Sequence, residues 1–200
     1  MEGEQTCFPA FSGEAGPIPD EVQQAMIGRS WHESLPCPSF ESLALLRMTH
    51  WGMDQDIHEG EMIVAGSVAN EVLQAFEHIY DAQFPIEQMR LIHHYAGDDD
   101  ASMAANNTSA FNCRQVTGGS RLSEHGLGTA IDINPVQNPY VRDDTVLPPK
   151  GRDYLDRGDV RPGMIVRPGA VVSAFEARGW GWGGDFSTLK DYQHVSESGR

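Results

Sequence analysis

The order of apolar and polar residues predicts two strands and a helix in the first half of the chain. Leu43 to Trp51 and Glu61 to Ala65 are rich in apolar residues on either side of a turn from Asp54 to Gly60, so we expect paired strands. A helix is expected from Ser67 until just before Phe84-Pro85, because apolar residues recur there at helical spacing. The predicted core stripe of this helix is Val68, Val72, Phe76, Ile79 and Tyr80.

Weaker patterns surround these elements. Residues 1–36 are rich in Pro, Gly and Ser, with one short helical pattern from Asp20 to Ile27, and we expect an arm wrapped on a domain formed by residues 37–200. Met89 to His94 predicts another strand, with its two adjacent histidines on opposite faces. The polar stretch from Asp98 to Thr108 is expected to shape one wall of a substrate cleft.

Two regions near the C-terminus are harder to assign. The stretch from Tyr140 to Pro168 has little periodicity and is expected to be an insertion over or beside a site, where long loops serve function. Trp180 and Trp182 alternate in a Gly-rich strand. Such a strand suits a cleft wall against substrate, and packing into the core is an alternative of nearly equal weight.

Composition limits the classes of partner. At 200 residues, of which 40% are hydrophobic, the chain fits one domain with a sizeable core. Its formal net charge of −15 argues against nucleic acid or an anionic membrane surface as a partner, since both require a basic face. No run approaches the ~20 apolar residues of a transmembrane helix, so we expect no membrane-spanning segment.

Two short polar segments suggest metal chemistry. A hydrolytic zinc site needs three protein ligands, one open position for water and a nearby base. His125, Asp132, Asp191 and His194 supply two imidazoles, a carboxylate ligand and a spare carboxylate. From spacing alone, a metal site and ordinary polar residues carry about equal weight.

The spacing also constrains the local structure. On one regular helix, His125 and Asp132 would be roughly 10 Å apart, too far to share an ion bound at about 2 Å. We therefore expect a bend, which Gly126 and Gly128 between the two residues permit, followed by a buried strand that carries Asp132 inward. Asp191 and His194 are three residues apart, so a helical turn or a tight loop would place both at one small volume.

The pattern Ser123-x-His125-x-x-Gly128-x-Ala130-x-Asp132, followed by Asp191-x-x-His194, resembles the signature of a known family. It is the VanY-like D-alanyl-D-alanine carboxypeptidase and L-alanyl-D-glutamate peptidase family of zinc peptidases. The resemblance extends from about residue 30 to the end. Further blocks that resemble one subgroup are 51–64, 111–114, 133–140 and 179–185. One departure is Val195, where the family usually has Phe, and it is expected to alter packing beside His194 without changing the ligands.

The resemblance implies a role for each matching residue. The implied zinc ligands are His125, Asp132 and His194. Asp191 would act as general base and then as general acid. Arg114 would polarise the scissile carbonyl or hold the developing oxyanion, with a surface ion pair as its alternative.

Two further residues are candidates for substrate binding. Ser123 would orient His125 or contact substrate, and a simple turn role is equally consistent with its position. Trp182 would contact substrate if its strand forms a cleft wall. The implied fold is α+β, hedgehog/D-Ala-D-Ala peptidase-like: a small, mostly antiparallel sheet with helices on one face and zinc in a cleft on the other.

The function implied by the resemblance is a zinc-dependent peptidase acting on peptidoglycan stem peptides, at a D-Ala-D-Ala or an L-Ala-D-Glu bond. A carboxypeptidase needs a cation for the terminal carboxylate, and the insertion offers Arg142, Arg152, Arg157 and Arg161, each equally consistent with solvent exposure. The alternative function is a non-catalytic zinc-containing domain that binds cell-wall peptide or a protein partner. Asp191 favours the enzyme, because a purely binding site needs no base.

The cysteines and the N-terminus bear on compartment. Cys7 and Cys37 are candidates for a disulfide that ties down the arm and leaves Cys113 over, although the sequence leaves the pairing open. The first residues are acidic and lack an apolar core, so no signal peptide is visible. Export with a leader absent from this sequence and a cytoplasmic location are both open, and the resemblance favours export. We expect a monomer.

Overall fold

Five α-helices and eleven β-strands are present in the residues that the computed structural model describes, 8–116 and 118–199. The helices are α1 (Asp20–Met26), α2 (Ala69–Asp81), α3 (Asp99–Ala104), α4 (Glu124–Leu127) and α5 (Ala170–Glu176). The strands are β1 (Gly13–Gly16), β2 (Leu43–Trp51), β3 (Ile57–Ala65), β4 (Gln88–Met89), β5 (Asn107–Thr108), β6 (Ala130–Asp132), β7 (Tyr140–Arg142), β8 (Thr145–Leu147), β9 (Gly181–Trp182), β10 (Lys190–Asp191) and β11 (His194–Ser196). Short 3-10 helices occur at Phe40–Ser42, Gly66–Val68, Ile92–Tyr95, Pro149–Tyr154 and Gly183–Asp185.

The strands form four small sheets within these residues. Three are antiparallel, with the orders β1-β2-β3, β6-β11-β9 and β10-β7-β8, and the fourth is the parallel pair β4-β5. The fold is therefore mixed α/β with small, mostly antiparallel sheets. The prediction of a single sheet was wrong, because all eight described strands outside the first sheet are only two or three residues long and do not extend across the molecule.

The hairpin of β2 and β3 is the longest paired element and confirms the predicted strand pair. Its register runs from Leu43 opposite Ala65 to Trp51 opposite Ile57, so β3 begins four residues before the predicted start at Glu61. Strand β1 adds to the free edge of β2, with Gly13 opposite Met48. The division of the chain at residues 36 and 37 stays a prediction, although β1 makes the N-terminal segment part of this sheet.

Helix α2 covers one face of this sheet and confirms the predicted helix. Val72, Phe76 and Ile79 are at most 1% exposed and belong to the main core, together with Leu46 and Met62 from the sheet. Helix α5 packs on α2, with the rings of Phe76 and Phe175 edge to face. Each such side chain contributes roughly 1.5–3 kcal/mol by leaving water.

A second core cluster covers the opposite face of the same sheet. Leu43, Leu45 and Ile63 point to this side, because side chains alternate along a strand, and α1 packs against them through Met26. Helices therefore lie on both faces of this sheet, and the predicted one-sided arrangement is not observed. The reason is that β2 is apolar on both of its faces.

Two local predictions were wrong. Residues 89–94 do not form one strand: β4 ends at Met89, and the 3-10 helix Ile92–Tyr95 follows, capped by Ala96 in the left-handed region with φ of 55°. The disulfide joins Cys37 to Cys113, so Cys113 is not left over. This pairing depends on a contact between distant parts of the chain. The Cys113 amide donates a hydrogen bond to the carbonyl of Ser30, in the arm, at 2.9 Å, so Cys113 lies against the segment that leads to Cys37. Cys7 lies outside the described residues.

No helix among the described residues combines the length and the apolar character needed to cross a bilayer.

Candidate metal centre

The bend between His125 and Asp132 is a single helical turn closed by glycine. Ser123 caps α4, its Oγ accepting from the Gly126 amide at 3.0 Å. The turn ends at Gly128, with φ of 76°. A Cβ at Gly128 would lie 2.6 Å from the Ala65 backbone nitrogen, so the position excludes any side chain. The predicted bend is confirmed.

Pairing between β6 and β11 brings the two halves of the motif together. Asp132 lies directly opposite His194 in this antiparallel ladder, where opposing side chains lie on the same face. Asp191 ends β10 and is connected to His194 by a two-residue turn. The tight loop expected from the spacing is therefore present, and residues 62 apart in the sequence share one site.

Three side chains converge at metal-binding separation. His125 Nε2 lies 3.3 Å from Asp132 Oδ2, His194 Nδ1 lies 3.1 Å from Asp132 Oδ1, and the two imidazole nitrogens are 3.3 Å apart. Ligands of a tetrahedral zinc ion at 2.0–2.1 Å would be about 3.4 Å apart. Across residues 8–116 and 118–199, this is the only group of three such side chains that could hold a metal.

Hydrogen bonding orients the first ligand. His125 Nδ1 donates to the Ala110 carbonyl at 2.8 Å, which leaves the Nε2 lone pair facing Asp132 and His194. Both imidazoles are buried, with 7% of His125 and 8% of His194 exposed. Their orientation is therefore set by the fold before any ion enters.

Electrostatics favour an ionised carboxylate at Asp132. Burial raises the pKa of Asp132, but the charges and hydrogen bonds of His125 and His194 outweigh burial and hold that pKa well below its usual range. An ionised carboxylate between two imidazoles is the ligand set that a divalent cation requires.

Asp191 has the opposite environment. Burial, followed by the nearby charge of Asp132, raises the pKa of Asp191 to about 6, although His194 acts to lower it. Its Oδ1 atom is buried with no hydrogen-bond partner among the described residues. A buried pair of carboxylates is costly without a cation, so this unpartnered oxygen fits a site built around a metal ion.

All four residues line one cavity of about 700 Å³. Its walls include Asp99, Asp100, Ser102 and Met103, so the stretch predicted to shape a cleft wall does so. Strands β7 and β8 supply another wall from within the predicted insertion.

The comparison with known families matches this region. Residues 117–197 match the sequence model of a family described as D-alanyl-D-alanine carboxypeptidase. The VanY-like resemblance is confirmed over these residues. No curated protein and no solved structure matches the chain.

The carboxypeptidase-family stretch contains the three clustered ligand candidates and Asp191, while Arg114 lies just before it. Members of this family are metallopeptidases, in agreement with the geometry of the triad. Val195 is fully buried opposite Ile131 and Trp182, so the departure from the usual Phe concerns packing.

Arg114 lines the cavity and is held by a residue that the sequence analysis did not single out. Its guanidinium forms an ion pair with Asp99. The Asp99 carboxylate also accepts from Asn112 Nδ2 at 2.8 Å. The run of acidic residues at 98–100 signals a polar wall but does not reveal which carboxylate meets Arg114.

Of the two predicted substrate-binding residues, one lines the cavity and the other lies in the main core. Ser123 lines the cavity, with its hydroxyl engaged in capping α4. Trp182 does not line the cavity, and the structure corrects that prediction. It is 7% exposed within the main core, where its Nε1 donates to the Tyr192 carbonyl at 2.8 Å. Pairing of β9 with β11 turns its ring inward, beside Trp180 in the same core.

Proposed function

We propose that this chain is a zinc-dependent peptidase that hydrolyses an amide bond in peptidoglycan stem peptides, at either a D-Ala-D-Ala or an L-Ala-D-Glu linkage. The observation that carries the proposal is the convergence of two imidazoles and a carboxylate beside a second carboxylate, Asp191, whose Oδ1 has no hydrogen-bond partner among the described residues, in one cavity. The family description of residues 117–197 supports the reaction class.

Zinc is the ion that best fits these donors. His125, Asp132 and His194 would hold it, since two histidines with one carboxylate are a frequent catalytic zinc set that leaves a fourth position open. When bound at such a site, zinc supplies Lewis acidity and a water that ionises near neutral pH.

Asp191 would serve as the proton carrier. Its Oδ1 has no partner in the described residues, so it is free to accept the proton of the attacking water. A pKa raised to about 6 suits a group that takes a proton near neutral pH and returns it to the departing amine. The neighbouring cation would lower that pKa and favour the base form at the start of the cycle.

Arg114 would hold the developing oxyanion. Its guanidinium reaches the cavity while Asp99 fixes one side of it, which preorganises the remaining donors for charge that develops in the transition state. Ser123 would act through α4, because capping sets the position of His125 two residues later in the same turn.

We also propose export as the compartment and a hedgehog/D-Ala-D-Ala peptidase-like arrangement around the site. The Cys37–Cys113 disulfide supports export, since disulfides persist in oxidising compartments.

A cavity of about 700 Å³ is in the range of sites that enclose a small ligand or a peptide end.

The direct test is incubation of zinc-loaded protein and of chelated protein with stem pentapeptide and with intact cell wall, followed by mass spectrometry. Zinc-dependent loss of one D-alanine, or cleavage between L-alanine and D-glutamate, supports the proposal. Asp191→Ala should retain zinc, measured by elemental analysis, and lose cleavage.

A matched control is Asp56→Asn, which changes an exposed carboxylate of the β2–β3 turn and should leave cleavage unchanged. Absence of any zinc-dependent product would favour the non-catalytic binding domain. Survival of activity in Asp191→Ala would show that the assigned base is wrong.

A further inference from the structure

The structure separates the four arginines that could hold a substrate carboxylate. Three donate to backbone carbonyls of their own region and do not line the cavity: Arg152 to Asp144, Arg157 to Gln137, Tyr154 and Ile165, and Arg161 to Asp153. Arg142 lines the cavity, and its side chain makes no hydrogen bond, ion pair or ring contact with any residue in the described part of the chain. Its guanidinium is therefore available to a ligand.

Strand pairing places Arg142 close to the chemistry. Asp191 on β10 lies directly opposite Tyr140 on β7. Residues two apart on a strand share a face, so Tyr140 and Arg142 point the same way, and both line the cavity while Val141 does not. Arg142 is thus displaced by about 6.6 Å along β7 from the position opposite Asp191.

The displacement of Arg142 along β7 suits a leaving group that is one residue long. One residue of extended peptide spans about 3.5 Å, so the α-carboxylate of a C-terminal residue lies about that far beyond the scissile carbonyl. A flexible arginine side chain based two strand positions from Asp191 covers the remaining distance.

The charges that line the cavity leave room for one guanidinium to receive a substrate carboxylate. The lining holds five carboxylates, at Asp99, Asp100, Glu124, Asp132 and Asp191, and three guanidinium groups, at Arg114, Arg121 and Arg142. Arg114 is already paired with Asp99. With a divalent ion at the three ligands the lining is close to neutral, so an entering carboxylate gains most from a guanidinium that has no ion-pair partner, and arginine binds carboxylates in bidentate fashion.

We propose that Arg142 binds the free α-carboxylate of the substrate and so makes the site a carboxypeptidase, which releases one C-terminal residue from a peptide. Resting on the function proposed above, this inference selects the terminal D-Ala-D-Ala bond over the internal L-Ala-D-Glu bond. Tyr140 and Leu147, paired across β7 and β8, form the wall beside the departing residue.

The test compares two stem pentapeptides that differ only in a free C-terminal carboxylate or a carboxamide. With zinc-loaded wild-type protein, kcat/KM for the carboxamide should be lower by about 10- to 100-fold, the value expected for a lost charged hydrogen bond. Arg142→Gln should lose the same factor on the free acid and little on the carboxamide. Arg152→Gln, with the same charge change outside the cavity, should behave like wild type.

A binding measurement supplies an independent readout. In a non-cleaving Asp191→Asn background, adding Arg142→Gln should raise Kd for the free acid about tenfold and leave Kd for the carboxamide unchanged, by calorimetry. Arg121→Gln in the same background should not show this selectivity.

The outcomes separate the two proposals. Equal cleavage of both peptides, cleavage only at the internal bond, or a carboxylate-selective loss in Arg121→Gln instead of Arg142→Gln would overturn the role of Arg142 and leave the peptidase standing. Absence of zinc-dependent cleavage of either peptide and of cell wall would overturn both.

Discussion

Asp132 and His194 face each other across the β6–β11 ladder, with His194 Nδ1 3.1 Å from Asp132 Oδ1. This pair and His125 form a metal-binding group whose size is set by strand register. A one-residue slip of β11 would turn His194 to the other face of the sheet and remove it from the group.

Loss of the carboxylate charge should weaken metal binding. Asp132→Asn keeps the shape of the side chain but leaves two neutral imidazoles as ligands, so zinc affinity should fall by more than the 10- to 100-fold that loss of an outer-shell partner costs. Competition with a chromophoric chelator measures this change. Asp54→Asn is the matched control, because Asp54 also pairs with a histidine, His58, but does not line the cavity. Equal affinity in wild type and Asp132→Asn would contradict the ligand assignment.

Asp191 should make the metal-free protein less stable as pH rises. Its pKa is raised from 3.8 to about 6 in the folded state, so the folded protein holds this proton more tightly than the unfolded chain. The stabilisation is complete below pH 4 and is lost as pH rises through about 6. Asp191→Asn should therefore be more stable than wild type at pH 8, by up to about 3 kcal/mol, and similar at pH 4.

Urea unfolding with chelator present, at a series of pH values, measures this difference. Saturating zinc should reduce it, because a cation stabilises the ionised carboxylate. A difference between Asp191→Asn and wild type that is constant from pH 4 to pH 8 would show that Asp191 does not titrate as described.

Asp99 should support catalysis by positioning Arg114. Asp99→Ala removes the ion pair to Arg114 and the acceptor of Asn112 Nδ2, so the guanidinium loses its fixed position. We expect kcat to fall about tenfold with zinc affinity unchanged, because misplacing a group that stabilises the transition state lowers kcat. Asp99→Glu should restore part of the rate. Asp100→Ala, at the neighbouring cavity position, should have a smaller effect, and the reverse order would contradict the assignment.

The disulfide should stabilise the protein, and it should join Cys37 only to Cys113. Cys37 and Cys113 are 76 residues apart, and closing such a loop restricts the unfolded chain, so the double variant Cys37→Ser and Cys113→Ser should lose about 2–4 kcal/mol. Denaturant unfolding with and without reductant measures the loss. Non-reducing peptide mapping should link the peptides that carry Cys37 and Cys113, and a link that includes Cys7 would contradict the pairing.

Trp182 should affect stability more than substrate binding. Trp182→Phe removes the hydrogen bond to the Tyr192 carbonyl and leaves a gap in the main core, which should cost about 1–3 kcal/mol of unfolding free energy. Zinc-dependent kcat/KM should stay within about threefold of wild type. A large rise in KM with unchanged stability would restore the substrate-binding interpretation.

The sequence by itself determined the local parts of this protein. The period of apolar residues was sufficient to predict the β2–β3 hairpin and α2, because these elements depend on contacts between near neighbours. The spacing of His125, Gly128 and Asp132 was sufficient to predict a bent segment, since a straight helix cannot bring both side chains to one ion.

Tertiary structure decided what depends on residues far apart in the chain. It paired Cys37 with Cys113, placed Asp99 against Arg114, turned Trp182 into the core and left the side chain of Arg142 without a partner among the described residues. Each of these outcomes is a choice among several residues of the same type. Local propensity is the same for every candidate, so only the three-dimensional path of the chain distinguishes them.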